Sequence, residues 1–314
     1  MRNNSCMTHK HCILIGAPVD CGKRVRGCLM GPDAYRTAGL AEAITALGHT
    51  VTDIGNLAPA AVGAQTHDNP QLYKLEENIG WCATLQNAAR DNAANGMPIF
   101  MGGDHALAMG TVSGMADHAA TLGKPFFVLW LDAHTDIHTL DSTDSGNIHG
   151  TPTGYYIGRA GFDMFPPVAN PVPTQNICMI GLRSVDPAEH AALADMHIDL
   201  VDMRRIDEEG IRAPLSAFLD RVAAVDGFLH VSLDVDFLDP SVAPAVGTSV
   251  PGGATDREAH LIMEMVSDSG LVGSLDLVEL NPFMDTRGKT ANLMVDLTAS
   301  LLGRRVFDRP TRTY

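Results

Sequence analysis

Eight short apolar runs, separated by longer amphipathic stretches, constrain the fold of this 314-residue chain more than any other feature. They cover residues 12–17, 50–54, 98–101, 126–131, 177–181, 200–201, 228–234 and 274–280. Most are continuously hydrophobic instead of alternating with polar residues, the pattern of parallel strands covered on both faces. Helical stretches lie between them, at residues 32–47, 73–95, 106–122, 187–194, 213–225, 256–269 and 290–302. Pro32 suits a first helical turn and Gly48 a helix stop. The alternation predicts a doubly wound α/β fold, one sheet of about eight strands with helices on both faces. No linker divides residues 1–314, so one domain is expected.

Hydrophobic residues make up 45% of the chain, enough for a substantial core, and the formal net charge is −15. That charge argues against nucleic acid or an anionic membrane as a partner. The cysteines, Cys6, Cys12, Cys21, Cys28, Cys82 and Cys178, form no Cys-x-x-Cys pair. They read as free thiols of a reducing compartment. The run at 12–17 is too short for a secretion leader, and no run approaches the length of a membrane span. A cytoplasmic protein is expected.

The chemistry sits at the ends of the apolar runs. Asp132-Ala133-His134-Thr135-Asp136 directly follows the run at 126–131. In extended backbone, alternate residues share a face, so two carboxylates and an imidazole can converge where a strand ends. Asp234-Val235-Asp236 closes the run at 228–234, and His105 follows Gly102-Gly103-Asp104 after the run at 98–101. A carboxylate on a buried strand is costly unless it is paired. Open parallel sheets bind ligands at the carboxyl ends of their strands. This donor set exceeds what one divalent ion needs and suits two ions sharing carboxylates. Oxygen-rich donors with imidazole favour manganese over thiolate-preferring metals.

Other motifs are weaker alone. The Ser145–Gly150 loop, Ser-Gly-Asn-Ile-His-Gly, offers hydroxyl and amide donors for a carboxylate and His149 as a proton carrier. Glu279, at the end of the last apolar run, needs a buried cation, for which an arginine such as Arg287 would serve. Asp186 precedes Pro187 and reads equally as a helix cap or an amine contact. Asp239 reads as the cap of the turn made by Pro240. The Asp234–Asp239 segment lacks the glycine and glutamate that a calcium loop requires. Walker, Gly-x-Gly-x-x-Gly and Gly-x-Ser-x-Gly motifs are absent, which removes the usual nucleotide-binding and serine-hydrolase readings.

Taken in order, Gly-Gly-Asp-His at 102–105, Asp-Ala-His-Thr-Asp at 132–136, Ser-Gly-Asn-Ile-His-Gly at 145–150, Ser-Leu-Asp-Val-Asp-Phe-Leu-Asp-Pro at 232–240 and Val-Glu-Leu-Asn-Pro at 278–282 resemble the ureohydrolase family, and arginases of bacterial type within it. The resemblance spans nearly the whole chain. It implies a three-layer α/β/α domain around an eight-stranded parallel sheet, with two manganese ions per subunit. One ion would take His105, Asp132, Asp136 and Asp234, and the other His134, Asp132, Asp234 and Asp236. Glu279 and Thr248 would lie near a guanidinium. Ser145 and Asn147 would read an α-carboxylate, and Asp186 with Glu189 an α-amino group. Asp136 would pass a proton to the leaving amine and His149 would shuttle protons. The implied reaction is hydrolysis of L-arginine to L-ornithine and urea by a cytoplasmic homo-oligomer, trimeric or hexameric.

His138 departs from the family pattern, which has Asn at this position for the α-carboxylate. Imidazole also donates a hydrogen bond, and it could reshape the pocket toward another guanidino acid. The alternatives are a relative acting on agmatine or another guanidino compound, a non-catalytic arginine binder, and a mononuclear zinc deacetylase-type enzyme.

Overall fold

The computed structural model describes residues 9–305. Eight parallel strands form one sheet: β1 (His11–Ala17), β2 (Thr50–Asn56), β3 (Met97–Gly102), β4 (Phe126–Leu131), β5 (Ile177–Leu182), β6 (Asp199–Asp202), β7 (Phe228–Asp234) and β8 (Val272–Val278). Their order is β2-β1-β3-β8-β7-β4-β5-β6. β3, β4 and β5 are buried along their whole length, as continuous apolar runs between two helical layers must be.

Ten α-helices cover the faces: α1 (Gly31–Thr37), α2 (Leu40–Thr45), α3 (Leu75–Ala93), α4 (Ala108–Thr121), α5 (Pro152–Tyr156), α6 (Pro187–Leu193), α7 (Met203–Glu209), α8 (Arg212–Ala224), α9 (Asp256–Ser269) and α10 (Lys289–Leu301). Alternation along each strand divides the core in two. Cys12 and Leu14 of β1 join the cluster under α1, α2 and α7 to α10. Ile13 and Ile15 face the cluster under α3 to α5. The expected three-layer α/β/α architecture is the one observed.

Several local expectations are corrected. The single helix expected at 32–47 is two, because Gly39 adopts φ +83 and breaks the ladder between α1 and α2. Helices α5 and α7 had no sequence forecast; each is short and closely follows another element. The last strand ends at Val278, two residues early, because Glu279 takes a left-handed φ of +67. Where the sequence punctuation was explicit, it held. Pro32 lies in the first turn of α1, and Gly48, at φ +86, donates its N–H to Thr45 O after α2. Asp239 accepts from the Ser241, Gly252 and Gly253 N–H groups. Cys12, Cys21, Cys28, Cys82 and Cys178 are buried and unpaired; Cys6 lies outside the described residues.

The order places β3, β8, β7 and β4 side by side at the centre. Their carboxyl ends lead directly to His105, Glu279, Asp234 and Asp132. Residues far apart in sequence thus meet at one edge.

Candidate active site

At this central edge the alternate residues after β4 and β7 turn inward. Asp132, His105, Asp234 and Asp236 are each at most 2% exposed. His105 Nδ1 lies 3.0 Å from Asp132 Oδ2, 3.0 Å from Asp234 Oδ2 and 3.3 Å from Asp136 Oδ2. His134 Nδ1 lies 3.1 Å from Asp236 Oδ2 and 3.4 Å from Asp132 Oδ1. Two donor clusters result, His105–Asp132–Asp136 and Asp132–His134–Asp236, with Asp132 common to both. Asp234 joins the first through His105.

The clusters are held from behind. Asp132 Oδ1 accepts from His134 N at 2.7 Å, Asp234 Oδ1 from Asp236 N at 2.7 Å and Asp236 Oδ1 from Ala133 N at 3.1 Å. His105 Nε2 meets Ser232 Oγ at 2.8 Å, and its ring stacks on Trp130 at 4.0 Å. Asp136 is held at φ +48, an unfavourable conformation for a side-chain-bearing residue, by Thr153 N donating to its carbonyl at 2.9 Å.

The donor set fits divalent ions. His105 Nδ1 and Asp132 Oδ2 are buried, 3.0 Å apart, and neither makes a hydrogen bond of good geometry. In the tautomer whose Nε2–H faces Ser232, Nδ1 turns a bare lone pair toward carboxylate oxygens, an arrangement that calls for a cation among them. Four carboxylates also match the charge of two divalent ions. Without metal, the imidazoles must supply the positive charge. Burial opposes their protonation, but the flanking aspartates push His105 far up and His134 up to about 12. Burial, with neighbouring carboxylates, pushes Asp136 and Asp234 well above the ordinary carboxylate range. Asp132 is held low despite its burial, because the two imidazoles beside it favour its charged form.

Above the clusters opens a cavity of about 190 Å³, lined by His134, Asp136, His138, His149, Ser184, Asp186, Glu189, Asp234, Asp236 and Thr248, among others. Thr248 Oγ1 bonds Asp236 Oδ2 at 3.1 Å. His138 Nε2 bonds Asp186 Oδ2 at 2.8 Å. Asp186 caps α6 in a capping box with Glu189, and Glu189 Oε1 accepts from Thr135 Oγ1 at 2.7 Å. The two readings of Asp186, cap and cavity residue, are therefore compatible. Ser145 and Asn147 stand outside this lining, in the loop that carries His149. Asn147 leaves its side-chain carbonyl buried and unbonded.

Glu279 is 1% exposed, and four donors surround it. Oε1 accepts from His105 N at 2.8 Å and meets His149 Nδ1 at 3.1 Å. Oε2 pairs with the ammonium of Lys23 and lies 3.7 Å from Cys28 Sγ. The cation is therefore Lys23 and not an arginine such as Arg287. Burial opposes ionisation of this carboxyl, yet the Lys23 charge and the His149 bond hold it well below the usual range. Lys23 and Ser184 were missed by sequence reasoning. A usable signal existed: Lys23 lies in the loop after β1 and Ser184 in the loop after β5, on the same edge as the ligands.

Fold and donor set together define a class, a single-sheet α/β protein whose strand ends gather a divalent-metal site. Comparison with known proteins identifies the family. The sequence model of the Arginase family matches residues 10–303. The Arginase of Brucella melitensis is 60% identical, over 97% of this chain and 100% of its own. The Arginase of Agrobacterium fabrum is 57% identical, over 97% of this chain and 94% of its own. The crystal structure of arginase from Bacillus subtilis matches with a TM-score of 0.84 at 35% identity, covering 95% of this chain and 100% of that one. This chain belongs to the arginase family.

Proposed function

We propose that the chain hydrolyses the guanidinium group of L-arginine to L-ornithine and urea, served by two manganese ions. The buried four-carboxylate, two-imidazole cluster carries this reading, since its carboxylates outnumber its imidazoles and it sits at the floor of the cavity. The identity to curated arginases along nearly the full chain supports the substrate over agmatine or another guanidino compound. Oxygen and imidazole donors without thiolate support manganese.

One ion would be held by His105, Asp132, Asp136 and Asp234, and the other by His134, Asp132, Asp234 and Asp236. When bound, such a pair of divalent ions would supply hydroxide near neutral pH and stabilise the oxygen of the tetrahedral species that its attack forms. Asp136 would accept a proton from the nucleophile and deliver it to the leaving amine. His149 would move protons between the cavity, which it lines, and solvent. Glu279 would provide the carboxylate facing the guanidinium, with Thr248 beside it. At the rim, Ser145, Asn147 and His138 would donate to the α-carboxylate, and Asp186 with Glu189 would accept from the α-amino group. A trimeric or hexameric homo-oligomer in the cytoplasm completes the reading, supported by the resemblance and by the unpaired cysteines.

The test is urea release by manganese-loaded protein from L-arginine and agmatine in parallel, with a chelator control. Chelator-sensitive release from arginine alone supports the proposal. Release from agmatine, with arginine inert, would overturn the substrate while keeping the chemistry. Sedimentation velocity tests the assembly.

A further inference from the structure

Glu279 is a buried anion beside the metal-donor cluster, and it is already paired. Lys23 is itself 1% exposed, and its ammonium bonds Glu279 Oε2 directly. The other carboxylate oxygen is taken by His105 N and His149 Nδ1. Behind the cavity-lining Thr248, the backbone at Gly247 packs close to Lys23: a Cβ added there would stand 3.1 Å from Lys23 Nζ. The pair thus sits just behind the cavity lining and adjoins it through His149, which lines the cavity and bonds Glu279.

Resting on the assignment of Glu279 to the guanidinium, we propose that Lys23 is a specificity-determining residue that masks Glu279. An approaching guanidinium meets a neutral ion pair in place of a free carboxylate, and meets an ammonium beside it. The attraction of one charge is cancelled by the repulsion of the other at nearly the same distance. Lys23 thus weakens ground-state binding of arginine. It also keeps the buried carboxylate compensated when the pocket holds no substrate, since a buried charge without a partner is strongly destabilising. Binding energy withheld equally from ground and transition states leaves KM high and kcat unchanged.

The experiment uses the manganese-loaded full chain and reads KM for arginine together with thermal shifts produced by low-millimolar guanidinium chloride. Lys23→Gln unmasks the carboxylate. Its KM is expected to fall about tenfold, its melting temperature to drop, and its stabilisation by guanidinium to exceed that of the parent. Lys23→Arg keeps the charge and should keep the parent KM and shift, which separates masking from simple loss of packing. An unchanged or raised KM in Lys23→Gln, with a parent-like shift, overturns the proposal. Should Lys23→Gln fail to fold, the double variant Lys23→Gln/Glu279→Gln decides, because it buries no charge. A neutral pair then replaces a neutral pair, so its KM should stay within about threefold of the parent, although kcat falls with Glu279 lost. A larger rise means that Glu279 acts on the substrate at full charge, and the proposal fails. If the parent releases no urea from arginine, the functional reading fails instead, and the guanidinium shifts alone decide the masking.

Discussion

The floor and the rim of the site use the same residue types in different ways. On the floor, Asp132, Asp234 and Asp236 are buried; Asp132 and Asp234 are anchored by a backbone N–H two residues on, and Asp236 by Ala133 N at the end of the neighbouring β4. Their geometry is set by the sheet, and their charge is answered by the two imidazoles, by protonation or by a bound cation. On the rim, the Asp186 side chain is half exposed and divides its oxygens between the cap of α6 and His138. Ser145 is exposed and held by its own loop. A rim residue can be exchanged at the cost of a hydrogen bond, whereas a floor residue cannot be lost without stranding charge.

The hardest test of the contrast is removal of a floor carboxylate. Asp234→Ala should lose metal and lower turnover about a thousandfold, read by metal analysis and urea release on one preparation. Retention of both metals with full turnover would sink the ligand assignment. Behind the floor, Ser232→Ala removes the partner of His105 Nε2 and should weaken metal binding roughly 10–100-fold, measured by chelator competition. The metal-free protein should show the charge imbalance directly. His134, raised to about 12, contributes stability fully below its unfolded value near 6.5 and loses it as pH rises between the two. Asp136 and Asp234, pushed up by burial and neighbouring carboxylates, act in the same direction. Chelated protein should therefore melt lower at pH 9 than at pH 7, while metal-loaded protein should not, as calorimetry would show. At the rim, Ser145→Ala or Asn147→Ala should raise KM for arginine about tenfold with metal content unchanged. His138→Asn, which restores the family residue, should shift KM by no more than about threefold. If a rim change expelled metal, the floor and rim would not be separable.

Much of the fold was legible because its signals are local. Continuous apolar runs marked the strands, and the alternation of Asp132, His134 and Asp136 marked the ligand edge, since a two-residue period is a property of the backbone. Failures arose where a competing local conformation or a distant partner decided the outcome. Gly39 was free to take φ +83 and split a helix that periodicity alone would continue. Glu279 was recognised as a buried acid, but its counter-ion lies 256 residues away and was mistaken for an arginine.

By itself the sequence determined the strands, the two-sided burial of the central ones, the candidate ligands and the helix caps, all set by neighbours within a few residues. Only the tertiary structure decided that β3, β8, β7 and β4 lie side by side, because strand order follows from how crossovers close and not from local pattern. It also decided which atoms share the small cavity, that Asp186 caps a helix while facing it, and that Lys23 answers Glu279. Each of these depends on distances between segments far apart in the chain, where burial and charge act together.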